Sequence, residues 1–109
     1  MAQISVQISA NTSTPALLWA TTTGVSPDHA VDSANQYFRA CTVNDPLPII
    51  IENLDGTNPI YLGGASVGSA NGTKIAAGGS ITRNVVGNDS EYAISTGGTV
   101  SVAVEVGRQ

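Results

Sequence analysis

The chain has 109 residues, with four Lys and Arg against eight Asp and Glu, a formal net charge of −4, and only 11% charged against 41% hydrophobic residues. Arg39, Lys74, Arg83 and Arg108 are scattered, which argues against a nucleic-acid partner, since neutralising phosphates takes clustered Lys and Arg. The length fits one modest core in a single domain spanning 1–109, and a surface made polar by Ser, Thr, Asn and Gln is weakly self-repelling and suited to contact with other proteins.

Cys41 is the only cysteine, so no disulfide forms within the chain and the fold stands on packing. No basic segment followed by an apolar run opens the sequence, and no stretch approaches the roughly 18 apolar residues of a membrane span. The expectation is a protein folded in a reducing cytoplasm, with no membrane partner. The glycosylation-like triplets at Asn11, Asn71 and Asn88 then read as turn chemistry.

In chain order, Gln3 to Ser9 alternates apolar and polar residues with period two, predicting a strand with one buried face. A second strand is expected over Ala16 to Thr22. Ser26-Pro27-Asp28-His29 supplies an N-cap, a proline at the first helical position and an acid in the first turn, which predicts one short helix ending near Ala34. Further strands are expected over Gln36 to Val43 and Leu47 to Leu54. Within the latter, Ile49-Ile50-Ile51 reads as a run covered on both faces or crossing the centre of the core. Asp55-Gly56 and Asn58-Pro59 mark turns before Ile60 to Leu62 resumes as a strand. Glycine pairs and Asn-Gly steps punctuate the next stretch, and strands follow over Ser80 to Val86 and Glu91 to Ser95. The closing strand sets Val100, Val102, Val104 and Val106 on one face and Ser101, Ala103 and Glu105 on the other. Many short strands separated by turns predict an all-β fold, an antiparallel β-sandwich of jelly-roll-like order with at most one short helix.

Candidate chemistry is thin. Gly68 to Lys74 resembles a phosphate-binding loop superficially, but its glycines are one residue too close and Thr73 precedes Lys74. Gly63 to Gly68 opens no long helix, as a dinucleotide fingerprint would. Asp28, His29 and Asp32 could ligate a metal, yet on a short polar segment they read better as a solvated cap. The single histidine has no Gly-x-Ser-x-Gly elbow to serve, and Cys41 reads as a small buried thiol. Glu52, Asp55, Asp89 and Glu91 lie on separate strand ends or turns. Trp19, Tyr37, Phe38, Tyr61 and Tyr92 are few enough to be core or interface residues. No catalytic, cofactor-binding or metal residue is therefore assigned, no cofactor is expected, and the glycines are expected at positive φ in hairpin turns and bulges.

One resemblance emerges from the order "PIIIENLDGTNPIYLGG", "SVGSANGTKIAAGGSIT", "SEYAIS" and "TVSVAVEV". A turn leads to a Tyr-containing strand ending in Gly-Gly, a glycine pair precedes a Ser/Thr strand, and a Tyr-Ala-Ile strand returns. This resembles a recurring module in small structural proteins of tailed-bacteriophage virions, found in head-decoration proteins and at the bases of fibres, and it spans roughly Leu47 to Val106. The resemblance implies no catalytic residue. The leading expectation is a non-enzymatic capsid decoration (cement) protein, assembled in the host cytoplasm onto the outer capsid surface. Its partner would be the major capsid protein, and it would bind as a homotrimer through Met1 to Ser13 and Asn44 to Pro48. A tail, neck or fibre-base component is the alternative. A carbohydrate-binding module is a third reading, and it requires Trp19, Tyr61 or Tyr92 to lie exposed beside carboxylates.

Overall fold

A computed structural model describes residues 4–22, 37–39 and 46–106. Among these, the strands are β1 (Ile4–Ala10), β2 (Ala16–Thr22), β3 (Tyr37–Arg39), β4 (Leu47–Asn53), β5 (Ile60–Gly63), β6 (Thr73–Ile75), β7 (Ser80–Val85), β8 (Asp89–Ser95) and β9 (Val100–Val106). They form a four-stranded sheet in the order β1-β9-β4-β7 and a five-stranded sheet in the order β3-β2-β8-β5-β6. With β3 set aside, β1 pairs with β9, β2 with β8, β4 with β7 and β5 with β6, all antiparallel. The chain is thus one long two-stranded ribbon, closed on itself where β9 meets β4 and β8 meets β5. This is the jelly-roll order that the turn spacing predicts. Only β3 departs, running parallel to β2 over Ala20 to Thr22.

Side-chain alternation explains why the two sheets face each other. In β4 the inward residues Leu47, Ile49, Ile51 and Asn53 are buried while Pro48, Ile50 and Glu52 are only partly covered. In β9, Val100, Val102 and Val104 are buried, and they meet Leu18, Ile60, Leu62 and Ala93 of the other sheet in one aliphatic cluster. Removing each such branched side chain from water is worth about 1.5–3 kcal/mol. A one-residue slip of β9 would bring Ser101 and Glu105 into the core, so burial fixes the register.

The structure corrects three sequence expectations. Ile50 is only half-buried, so the isoleucine run has one core face, although β4 does sit between β9 and β7. β6 occupies part of the stretch that reads as turns, because pairing of Ile75 with Ile60 outweighs the local glycine signal. Of the expected strand over Gln36 to Val43, the described part is Tyr37–Arg39. Among the described glycines, positive φ occurs only at Gly78, Gly87 and Gly98. Gly63 and Gly72 have a different reason: a Cβ on either would approach Val67 Cγ2 to 2.8 Å, so both admit Val67 onto the outer side of β5. The helix expected from Ser26 to Ala34 lies outside the described residues.

The arch from β4 to β5 crosses between sheets and is built on Asn53, which is fully buried. Its Nδ2 donates to the carbonyls of Asn58 (2.9 Å) and Ile75 (3.2 Å), and its Oδ1 accepts from the Asp55 amide at 2.9 Å. Its backbone N–H donates to Gly79 O and its carbonyl accepts from the Gly78 amide. Every polar group of Asn53 is therefore paired, as burial demands. The Asp55 carboxylate accepts the amides of Asn58 (2.6 Å) and Thr57 (2.9 Å). These two bonds, Asn58 first, hold its carboxyl below the ordinary value of 3.8.

Replacing Asn53 by Ala leaves the Asn58 and Ile75 carbonyls and the Asp55 amide without partners, and should cost about 2–4 kcal/mol in urea unfolding. Asn71→Ala, in an exposed turn, should cost about 1 kcal/mol or less. Because the folded pKa of Asp55 is lowered, its contribution is present above the unfolded value and lost as pH falls through the folded one. Asp55→Asn should therefore flatten the acid side of the stability profile, measured as urea midpoint against pH.

Candidate functional site

The most polar interior point lies where β7, at the edge of the four-stranded sheet, gives way to β8 in the middle of the other. In β7 the inward positions are Ile81, Arg83 and Val85, since they pair with Ile51, Ile49 and Leu47 of β4. An arginine thus stands where alternation calls for an apolar residue. In β8 the same parity turns Glu91 inward, opposite Trp19 of β2. Arg83 spans the gap between sheets: Nε donates to Glu91 Oε1 (3.2 Å) and Oε2 (3.1 Å), and Nη2 donates to Oε2 at 2.7 Å. The Trp19 indole N–H donates to Oε1 at 3.2 Å. Trp19 is 2% and Glu91 8% exposed. The Arg83 side chain keeps 32% exposure and so closes the group toward water.

Beside this group the Thr21 hydroxyl donates to Gly87 O (2.6 Å) and accepts from the Asp89 amide (3.0 Å), fixing the turn between β7 and β8. A cleft of about 340 Å³ opens here, lined among others by Trp19, Arg83, Val86, Asp89 and Glu91. A carboxylate offers roughly four lone-pair sites. Those of Glu91 receive the Trp19 indole, the Arg83 Nε twice and Nη2, so the carboxylate is committed to structure. Among the described residues, the cleft lining contains no imidazole or thiol with which a nucleophile–base pair could be assembled.

The glycine-rich stretch has no phosphate-binding geometry either. Gly72 and Asn71 donate their amides to Gly68 O, Val67 donates to Gly64 O, and the Gly68 amide donates to Asn71 Oδ1 at 2.8 Å. The loop's own acceptors thus take four of the N–H groups that would otherwise face an anion. Lys74 lies in a strand, not at a helix start. A smaller cavity of about 260 Å³ beside it is lined by Gly63, Gly64, Ser66, Val67 and Asn71, all uncharged.

The other sequence candidates are dispersed. Glu52 lies on the outer face of β4, Asp55 holds the β4–β5 arch, and Asp89 and Glu91 share the cleft end of β8. Among the described residues, no three His, Cys, Asp or Glu groups come close enough to hold a metal. Asp28, His29, Asp32 and Cys41 lie outside those residues. Trp19 is beside a carboxylate but buried. Tyr61 and Tyr92 are half-buried, and their cross-strand neighbours are Lys74 and Ile94, and Leu17 and Gly63. None of the three provides an exposed ring beside a carboxylate. The Asn11 side chain accepts the Ser13 (3.0 Å) and Thr14 (2.7 Å) amides, so this triplet is turn chemistry. Of the segment expected to make contacts near Pro48, Leu47 belongs to the core.

Sequence reading did not identify the Arg83–Glu91–Trp19 group. The available signal was a charged residue at an inward position in each of two successive strands, which becomes visible only once the parity of both is fixed. No family model matches the chain, and no curated protein or solved structure matches it.

Arg83→Met removes the partner of a mostly buried carboxylate and should destabilise the fold by about 1–3 kcal/mol, less than a fully buried pair because Arg83 is partly solvated. Arg83→Met combined with Glu91→Leu should cost less than the sum of the two single changes. Urea unfolding followed by fluorescence of Trp19, the only tryptophan, reads both effects.

Proposed function

We propose that this chain is a non-enzymatic virion structural protein that binds the outer surface of a phage capsid and reinforces it. The major capsid protein would be its partner, and it would sit as a homotrimer at sites of threefold symmetry. The observation that carries the reading is the outer face of the four-stranded sheet. Gln7 and Ser9 of β1, Ser101 of β9, and Ser80, Thr82 and Asn84 of β7 are all exposed there and all uncharged, and the only carboxylates among the described residues of this face, Glu52 and Glu105, are half-buried. Such a face suits a wide, wet, shape-matched contact. Repeated over many copies on a shell, weak contacts of this kind gain strength through avidity.

The resemblance of Leu47 to Val106 to virion modules supports the same reading. Several of its positions fall on framework: Gly63, at the end of the Tyr-containing strand, lies against Val67, and Ala93 of the Tyr-Ala-Ile strand is buried in the core. A module of this kind reuses a scaffold and varies its faces.

Purified protein mixed with undecorated shells should cosediment. Ser101→Glu, which adds a charge on the outward side of β9, should weaken binding at least about tenfold, a loss of roughly 1.4 kcal/mol, with the circular dichroism spectrum unchanged. Absence of cosedimentation at any concentration would reject the reading.

A further inference from the structure

A sheet edge is a row of unpaired backbone groups, and proteins blunt it with short strands, charge, proline or bulges. The four edges of this sandwich differ. In the five-stranded sheet the edge strands β3 and β6 have three described residues each, and β6 is centred on Lys74. In the four-stranded sheet the edges are β1, with seven residues, and β7, with six. Neither contains a proline, and β1 carries no charge. The single charge of β7, Arg83, points inward, which on an edge strand normally opposes pairing. Here Glu91 already matches it. Among the described residues, no strand lies beyond either edge.

Two backbone bonds fix the hydrogen-bond parity of the sheet. The Asn53 amide donates toward β7, to Gly79 O, and the Leu54 amide toward β9, to Ser101 O. The odd residues of β4 therefore exchange bonds with β7, and the even residues with β9; Pro48, which has no N–H, falls on the β9 side past the last register pair. Carried outward through the register, Ser80, Thr82 and Asn84 present their N–H and C=O groups at the β7 edge, and Ser5, Gln7 and Ser9 at the β1 edge. In a sheet of four antiparallel strands, β1 and β7 run in opposite directions.

We infer that the four-stranded sheet continues into a second copy of this chain, with β7 of one molecule antiparallel to β1 of the next. Pairing Thr82 with Gln7 sets Ser80 opposite Ser9 and Asn84 opposite Ser5, so outward backbone groups meet, and exposed polar side chains face one another at Thr82–Gln7 and Ser80–Ser9. The same register sets Ile81 opposite Ile8. These two are the partly buried hydrophobics packed against the rim of the core, and each would cover the other. Edge-to-edge pairing of β7 with β7, or β1 with β1, brings no such complement and leaves the other edge open. A head-to-tail contact uses both edges and closes into a ring when the rotation per copy divides the circle. The inference rests on the proposed function only for three as the number of copies.

The test uses the whole chain without shells. Light scattering after size exclusion should give a multiple of the 11.0 kDa chain mass. In a Cys41→Ser background, Gln7→Cys and Thr82→Cys proteins mixed before mild oxidation should form a mixed disulfide, and neither should cross-link alone. Thr82→Pro, which removes an outward N–H, should shift the mass to that of one chain. Should that variant unfold, the cross-link still decides. A monomer at every concentration, self-cross-linking by Thr82→Cys alone, or an oligomer without the mixed disulfide would each overturn the inference. A protein that pairs its edges yet fails to sediment with shells would lose only the decoration reading.

Discussion

A two-layer interior filled with aliphatic side chains leaves its polar backbone nowhere to turn at the two open ends, and this fold depends on closing both. One end is closed by Asn53, whose amide bonds three segments, and by Ser95, whose hydroxyl donates to Gly98 O. The other is closed by Arg83, Glu91 and Trp19, with Thr21 holding the adjacent turn. A buried group left without a partner costs about 1–3 kcal/mol, and a domain of this kind holds about 5–15 kcal/mol in total. With a single cysteine in the chain, no internal disulfide adds to that margin. The Arg83–Glu91 pair need not supply net stability to matter, because the desolvation of two charges offsets much of their attraction. Its physical effect is to set β7 of one sheet against β8 of the other.

The two sheets then divide the surface between them. The outer side of the five-stranded sheet is partly covered by its own chain, since the loop from Gly64 to Gly72 folds back and seats Val67 against Gly63. Among the described residues its edge strands are short, and β6 is centred on Lys74. The four-stranded sheet has the reverse character: a polar, sparsely charged outer face and two long edges. The proposed association with other chains therefore falls to that sheet.

Much of this was legible in the sequence because alternation is a strong signal. β2 spans the expected residues, β9 buries Val100, Val102 and Val104 as expected, and the turns between short strands point to the sandwich. Three features were not legible, each for a physical reason. β6 has three residues flanked by glycines and exists through its pairing with β5, which local propensity does not encode. The glycines read as one class, whereas Gly87 satisfies a backbone dihedral and Gly63 a close packing contact. The Arg83–Glu91 contact joins residues of different sheets, so it depends on knowing which strands go where. Asp55-Gly56 was correctly a turn, but in an arch between sheets and not a hairpin, a distinction set by long-range pairing.

Arg83 links the interior to the surface. A charge on an edge strand ordinarily repels an incoming strand, or would be buried unpaired beneath it. By reaching across the sandwich to Glu91, this arginine seals one end of the core and simultaneously leaves β7 with no unmatched charge. The outward groups of that strand belong to Ser80, Thr82 and Asn84, whose exposed side chains are short and neutral. The same ion pair therefore closes the fold and leaves no unmatched charge on the edge along which we propose that the sheet continues. A protein with 11% charged residues has few other means of controlling which of its edges stays open.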